Sequence, residues 1–237
     1  MHVGVIRALQ ELRFRPHVIA GCSVGAIAGA LWAAGLSADV IESVALDTAW
    51  RQIGMARLPR MGLSDMRRLH GLLEKRTGGA HIEMLDTRFG VVATDLATGR
   101  TVLLDRGALA PAVAASASVP ILYEPIEIDG RRLVDGALTS PVPVDAAREL
   151  GADVVIAVDV AYRPYEETVS GITGVAFQMF HIMVNQLISE QVRRAGHRIR
   201  LDVHSLALGP DPERALIGAG EQAVRTQWPA IRKTMGV

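Results

Sequence analysis

Residues 18–36 carry no charged side chain, and the pentapeptide Gly21-Cys22-Ser23-Val24-Gly25 interrupts them near their start. A run of this length is enough for a membrane-spanning helix, and the spacing of Gly21, Gly25 and Gly29 resembles a membrane helix-packing motif. The order of residue types favours another reading. Val18-Ile19-Ala20 is a short, mostly β-branched run, the glycines mark a tight turn, and an Ala-rich stretch follows. Buried strand, turn and buried helix in succession have this composition. The small residues then let the helix lie close against a sheet. A strand that feeds straight into a helix, both buried, constrains the fold to the α/β class.

The rest of the chain extends that pattern. Val3, Ile6, Leu9 and Leu12 recur at helical spacing, predicting a helix over 2–13 that ends before Pro16. Gly35 and Ser37 read as a helix end and the next N-cap, with a helix running to about residue 50. A loop over 54–62 precedes a helix that opens at Ser64 and closes at Gly78-Gly79. Strands are predicted over 91–96 and 101–104, and a small-residue helix over 109–117. Asp129-Gly130 signals a two-residue hairpin between strands 125–128 and 131–134. A helix over 142–150, a buried strand over 154–158 and helices over 171–196 and 212–233 complete the reading, with Pro229 able to kink the last. Helices and strands alternate, so we expect one domain over 1–237 with a mostly parallel central sheet covered by helices on both faces.

Charge and cysteine content narrow the function. Lys plus Arg total 25 and Asp plus Glu total 25, a net charge of +0 that gives no long-range field to attract nucleic acid. The single cysteine, Cys22, cannot form an intrachain disulfide, and no Cys/His cluster has zinc spacing. No secretory signal is evident, so cytoplasm is the expected compartment. Acidic residues such as Asp95 and Asp159 stand singly, so neither a metal nor an organic cofactor is expected.

Gly21-Cys22-Ser23-Val24-Gly25 matches G-x-S-x-G. In that motif a serine sits on a strained strand-to-helix turn, and the flanking glycines remove side chains that would collide there. Ser23 is then an exposed nucleophile at the sheet edge, with the positive end of the following helix aimed at the reacting centre. The Val24 N–H can donate to an oxyanion. Cys22 reads as a buried, inert side chain facing the core.

A serine hydroxyl needs a proton acceptor. None of the seven histidines has a sequence context that ties it to Ser23; His204 is late in the chain, as a triad histidine can be, but reads better as a surface or capping residue. Asp135, in Leu133-Val134-Asp135-Gly136-Ala137, lies at a predicted strand end. On residues alone it reads as well as an ordinary Asp-Gly turn.

A wider set of blocks decides the matter. Residues 19–26 followed by Gly29-Ala30-Leu31 resemble the nucleophile elbow of patatin-like phospholipases. Val134-Asp135-Gly136-Ala137 followed by Pro141-Val142-Pro143-Val144 resembles that family's Asp-Gly-Gly/Ala block. Ala93-Thr94-Asp95-Leu96 with Thr98-Gly99, Ala115-Ser116-Ala117-Ser118-Val119-Pro120, and residues 151–159 resemble further family blocks in the same order. The resemblance covers about residues 2–160. It implies a three-layer patatin-like fold and a Ser23–Asp135 dyad without histidine. Lipid acyl esters would be cleaved through an acyl-enzyme; transfer to an acceptor other than water is equally compatible with the motifs.

The resemblance also places a strand and a Gly-rich oxyanion loop ahead of the segment matched by residues 2–9. We therefore expect either that Met1 is an internal methionine of a longer protein, or that the chain is a catalytically silent binding or regulatory member. Intact Ser23 and Asp135 favour the former. For contact with a bilayer surface, residues 53–66 offer Met55, Leu58, Met61 and Leu63 among Arg51, Arg57 and Arg60, though a packed surface loop fits as well. Phe177, Met179, Phe180, Met183 and Leu187 read first as core, with an acyl pocket or a dimer face as alternatives. Oligomeric state stays open.

Overall fold

The uncharged run folds as strand, turn and helix in a computed structural model of the chain, which describes residues 1–47, 66–160, 169–200 and 211–236. β1 is Val18–Gly21 and α2 is Val24–Ala33, preceded by α1, His2–Glu11. α3 (Ala38–Asp47) and α4 (Arg67–Thr77) follow, then β2 (Arg88–Asp95) and β3 (Thr101–Leu104). α5 (Leu109–Ser116) leads into the hairpin of β4 (Ile126–Ile128) and β5 (Arg131–Asp135). After α6 (Val144–Glu149) come β6 (Ile156–Asp159), α7 (Gly171–Val192), β7 (His197–Arg200) and α8 (Pro212–Met235). No described helix is long and apolar enough to cross a membrane. The loop expected over 54–62, the expected helix start at Ser64, His204 and all but the last residue of 53–66 lie outside the described residues, while the rest of that helix is α4, capped at Gly78.

β2 is the organising strand. It pairs with β1 in parallel and with β3 and β5 antiparallel, and β5 carries β4 at its far edge. β1, β2 and β4 therefore run one way, β3 and β5 the other. β6 and β7 form a separate parallel pair. The β2–β3 and β4–β5 ladders follow from short connections, whereas β2–β5 joins strands separated by β3, α5 and β4. At the β4–β5 turn Asp129 and Gly130 both have positive φ, 51° and 72°, the geometry that matches the twist of a two-residue hairpin.

Strand alternation gives each face of β2 its own helix layer. Phe89 and Val91 pack with α2, α4 and α5 in the main core, while Val92 packs with Cys22 and Ala146 on the opposite face. Helices thus cover the sheet on both sides, an α/β three-layer arrangement. Gly90 keeps the second face flat: a Cβ there would stand 3.0 Å from both Leu103 Cδ1 and Leu150 Cδ1.

Two differences from the sequence reading have physical causes. β7 was not expected, because His197-Arg198-Ile199-Arg200 has a single apolar residue. That residue, Ile199, is fully buried, and Arg198 pairs with the fully buried Asp159 of β6, donating from Nε at 3.0 Å. Only the C-terminal end of α7 joins the core, where Val192 is buried with Val142 and Val155; Phe177, Phe180 and Leu187 are half-buried. Met179 and Met183 are 58% and 51% exposed, and Ile172 is 89% exposed, because the helix packs mainly on the turn after β5 and on β6. α8, in contrast, continues through Pro229.

α1 and α8 close the molecule at a glycine contact. A Cβ on Gly4 would overlap the Ile217 carbonyl, and one on Gly220 would stand 2.5 Å from the Met1 carbonyl oxygen. Around this contact Arg7 bonds to Asp39, Glu42 and Glu221, and the Phe14 and Trp228 rings meet edge-on at 5.1 Å. Backbone atoms cannot yield as a side chain can. We expect Gly220→Ala to lower stability by about 1–3 kcal/mol, read as a lower urea midpoint with an unchanged slope.

Candidate active site

Only Cys22 and Ser23 separate the end of β1 from the start of α2. The chain reverses so sharply that a Cβ on Gly21 would lie 2.5 Å from Ala26 Cα, so glycine is required there. Gly25 is under no such demand. A Cβ at that position would find His2 Nε2 at 3.4 Å, an ordinary contact. The steric need expected of both flanking glycines is therefore carried by the first. Ser23 itself has φ 51° and ψ −122°, a conformation that costs a non-glycine residue on the order of 1–3 kcal/mol.

That strain aims the hydroxyl. Ser23 Oγ donates to Asp135 Oδ2 at 2.7 Å, joining residues far apart in sequence. Asp135 is the last residue of β5 and caps a short 3-10 turn, Gly136–Leu138, by accepting from Ala137 N–H on Oδ1 at 2.8 Å. Cys22 Sγ stands 3.9 Å from the same oxygen. The Asp135 backbone is fixed on both sides: its N–H donates to the Ser118 carbonyl at 2.8 Å, and its carbonyl accepts from Thr94 Oγ1 at 3.0 Å. Gly136 is needed where it stands, since a Cβ there would collide with the Val92 carbonyl of β2.

The electrostatics are those of a carboxylate out of water. Asp135 is fully buried, and burial pushes its carboxyl up to about 6 against the opposing effect of its bonds to Ala137, Ser23 and Cys22. Burial, reinforced by the adjacent carboxylate, raises the Cys22 thiol, consistent with an inert side chain. Val24 is the first residue of α2, and among the described residues its N–H makes no hydrogen bond. It is thus free to meet an anion at the helix N-terminus.

The expected site residues come together: Gly21, Val24, Gly136 and Ala137 lie around the Ser23–Asp135 hydrogen bond, with Gly25 beside them. One histidine is nearer than its sequence context indicated. His2 faces Gly25, held neutral by burial and the neighbouring N-terminal ammonium, with its value lowered to about 4. It bonds to neither dyad residue. Three polar residues of the site were not singled out from sequence: Thr94, Ser116 and Ser118. Each lies in a block that resembles the family, which was the available signal. Asp95 and Asp159 have structural partners, Asp95 Oδ1 accepting from Ala97 N–H at 2.9 Å and Asp159 pairing with Arg198. Among the described residues no three potential metal ligands cluster.

Comparison with known proteins places the chain among relatives of known family. An uncharacterized NTE family protein of Mycobacterium tuberculosis is 36% identical over 160 residues, 66% of this chain and 44% of that one. The lysophospholipase nte1 of Aspergillus fumigatus is 31% identical over 167 residues, 67% of this chain and 11% of that one. The chain thus spans less than half the length of these relatives. Among solved structures, the type III effector protein ExoU superposes with a TM-score of 0.51 over 96% of this chain and 50% of that one, at 15% identity, a likeness of fold. The family model described as patatin-like phospholipase matches residues 1–148. With the sheet, the elbow and the matching relatives in agreement, the chain belongs to the patatin-like phospholipase family.

Proposed function

We propose that this chain is a serine acyl hydrolase that cleaves lipid acyl esters with Ser23 as nucleophile and Asp135 as proton acceptor. The observation that carries the reading is the 2.7 Å hydrogen bond from Ser23 Oγ to Asp135 Oδ2. Asp135 takes the hydroxyl proton as Ser23 Oγ attacks the ester carbonyl carbon. The tetrahedral oxyanion meets the Val24 N–H at the positive end of α2. Collapse breaks the ester C–O bond, and the alcohol leaves with the proton held by Asp135. Asp135 then takes a proton from water as the water oxygen attacks the acyl carbon; collapse breaks the bond from that carbon to Ser23 Oγ, the free fatty acid leaves, and Asp135 returns the proton to Ser23 Oγ. Ala137 N–H holds Asp135 Oδ1, leaving Oδ2 for the proton in both steps. The exposed apolar residues of α7, a helix that packs on the turn after Asp135, favour a lipid substrate over a small polar ester.

A tagged fluorophosphonate, which reacts with an activated serine, tests this directly. We expect an adduct at Ser23, none in Ser23→Ala, and a labelling rate at least about 10³-fold lower in Asp135→Asn. A folded protein that does not label at Ser23 overturns the reading.

The raised Asp135 carboxyl adds a pH signature. The acceptor must be ionised, so the labelling rate should rise with pH through about 6 and level off above about 7. Stability should move the opposite way. Between about 4 and about 6 the folded state holds a proton on Asp135 that the unfolded chain has lost, so the unfolding free energy falls as pH rises across this window. Asp135→Asn has no charge to bury. Above pH ~7 it should be more stable than the parent by roughly 1–3 kcal/mol while losing labelling, measured by urea titration at two pH values.

A further inference from the structure

We infer that Ser116 is a positioning residue for the nucleophile, an inference that rests on the Ser23–Asp135 reading and extends it. Ser116 ends α5 and is fully buried. Its hydroxyl donates to the Val92 carbonyl at 2.7 Å and accepts from the Ser23 N–H at 3.1 Å. The direction of both bonds is forced. A carbonyl only accepts and an amide N–H only donates, so the one hydroxyl proton goes to Val92 and a lone pair remains for Ser23. Ser116 thereby ties the strained residue of the elbow to the central strand of the sheet.

The Val92 carbonyl is also the atom that excludes any side chain at Gly136. One backbone group of β2 therefore sets the position of both halves of the dyad, through Ser116 on the nucleophile's side and by close packing on the base's side. Ser23 is held at φ 51° by its backbone N–H, and that backbone fixes both where Oγ points and where the adjacent Val24 N–H points. Ser116 touches no reacting atom; its effect runs through the orientation of Ser23. The expected consequence of losing it is a slower chemical step with little change in affinity.

The test compares four substitutions by fluorophosphonate kinetics, separating the maximal labelling rate from the half-saturating probe concentration. Ser116→Ala removes both bonds. Ser116→Cys fills the same space with a weak donor and acceptor, and guards against a loss of folding in the alanine variant. Ser116→Thr keeps the hydroxyl. Thr87→Val removes a buried hydroxyl that bonds to Arg15 at 3.0 Å, away from the dyad. In Ser116→Ala and Ser116→Cys the maximal rate should fall about 10- to 100-fold, the loss that an ångström-scale misplacement produces, with half-saturation within about threefold. Ser116→Thr should recover most of the rate, and Thr87→Val should keep it. Amide hydrogen exchange at Ser23 should quicken in Ser116→Ala beyond that of its neighbours. If folded Ser116→Ala and Ser116→Cys label at the parent rate while Asp135→Asn does not, the positioning role is wrong and the dyad stands. Labelling that survives in Asp135→Asn overturns the dyad and the positioning role with it.

Discussion

The site depends on one buried carboxylate that, among the described residues, has no cation for a partner. Asp135 has no exposure to water, and its attraction is to a backbone N–H, a hydroxyl and a thiol. An uncompensated charge there is costly, which keeps its proton affinity within reach of neutral pH. The same burial suits the carboxyl oxygen next to Ser23 to the proposed role of a base that takes a proton and returns it. The surrounding elements serve this environment. β5 ends where the aspartate is needed, the following turn supplies Ala137 N–H, Ala115 of α5 packs on Leu133 of β5, and Ala146 of α6 packs on Val92 of β2 and on Cys22.

Holding two residues so distant in sequence at hydrogen-bond distance is the task of β2. It pairs with the strand that leads to Ser23 through residues 88–91 and with the strand that ends in Asp135 through residues 93–95, two successive stretches of one strand. Ladder hydrogen bonds fix register, and register fixes which side chains emerge at a given edge. The dyad geometry is thus written into sheet pairing before any side chain is placed. The close contacts at Gly21 and Gly136 are what this economy of distance requires.

The sequence made the central unit legible because its signals were local. An apolar run, a glycine-flanked serine and an Ala-rich segment sit side by side, and the hairpin at Asp129-Gly130 is likewise written in adjacent residues. What escaped depends on contacts between distant segments. β7 exists because Ile199 finds the core and Arg198 finds Asp159, and neither partner is visible in a four-residue window. Ser116 reads as one more small residue at a helix end until Val92 and Ser23 are brought to it. The apolar residues of α7 have core composition, and only the shallow packing of the helix leaves Ile172, Met179 and Met183 facing outward. His2 comes to lie by Gly25 because α1 crosses the elbow, which no motif announces.

The left-handed conformation of Ser23 bears on how such a chain can drift. Glycine adopts this backbone region freely, so folding alone gives serine no advantage at position 23. Random substitution in a lineage released from chemistry would drain the hydroxyl from this turn, since the chain folds more easily without it. A serine kept in an unfavourable conformation, facing a carboxylate kept in an unfavourable medium, is a pair of folding disadvantages that the proposed chemistry would offset.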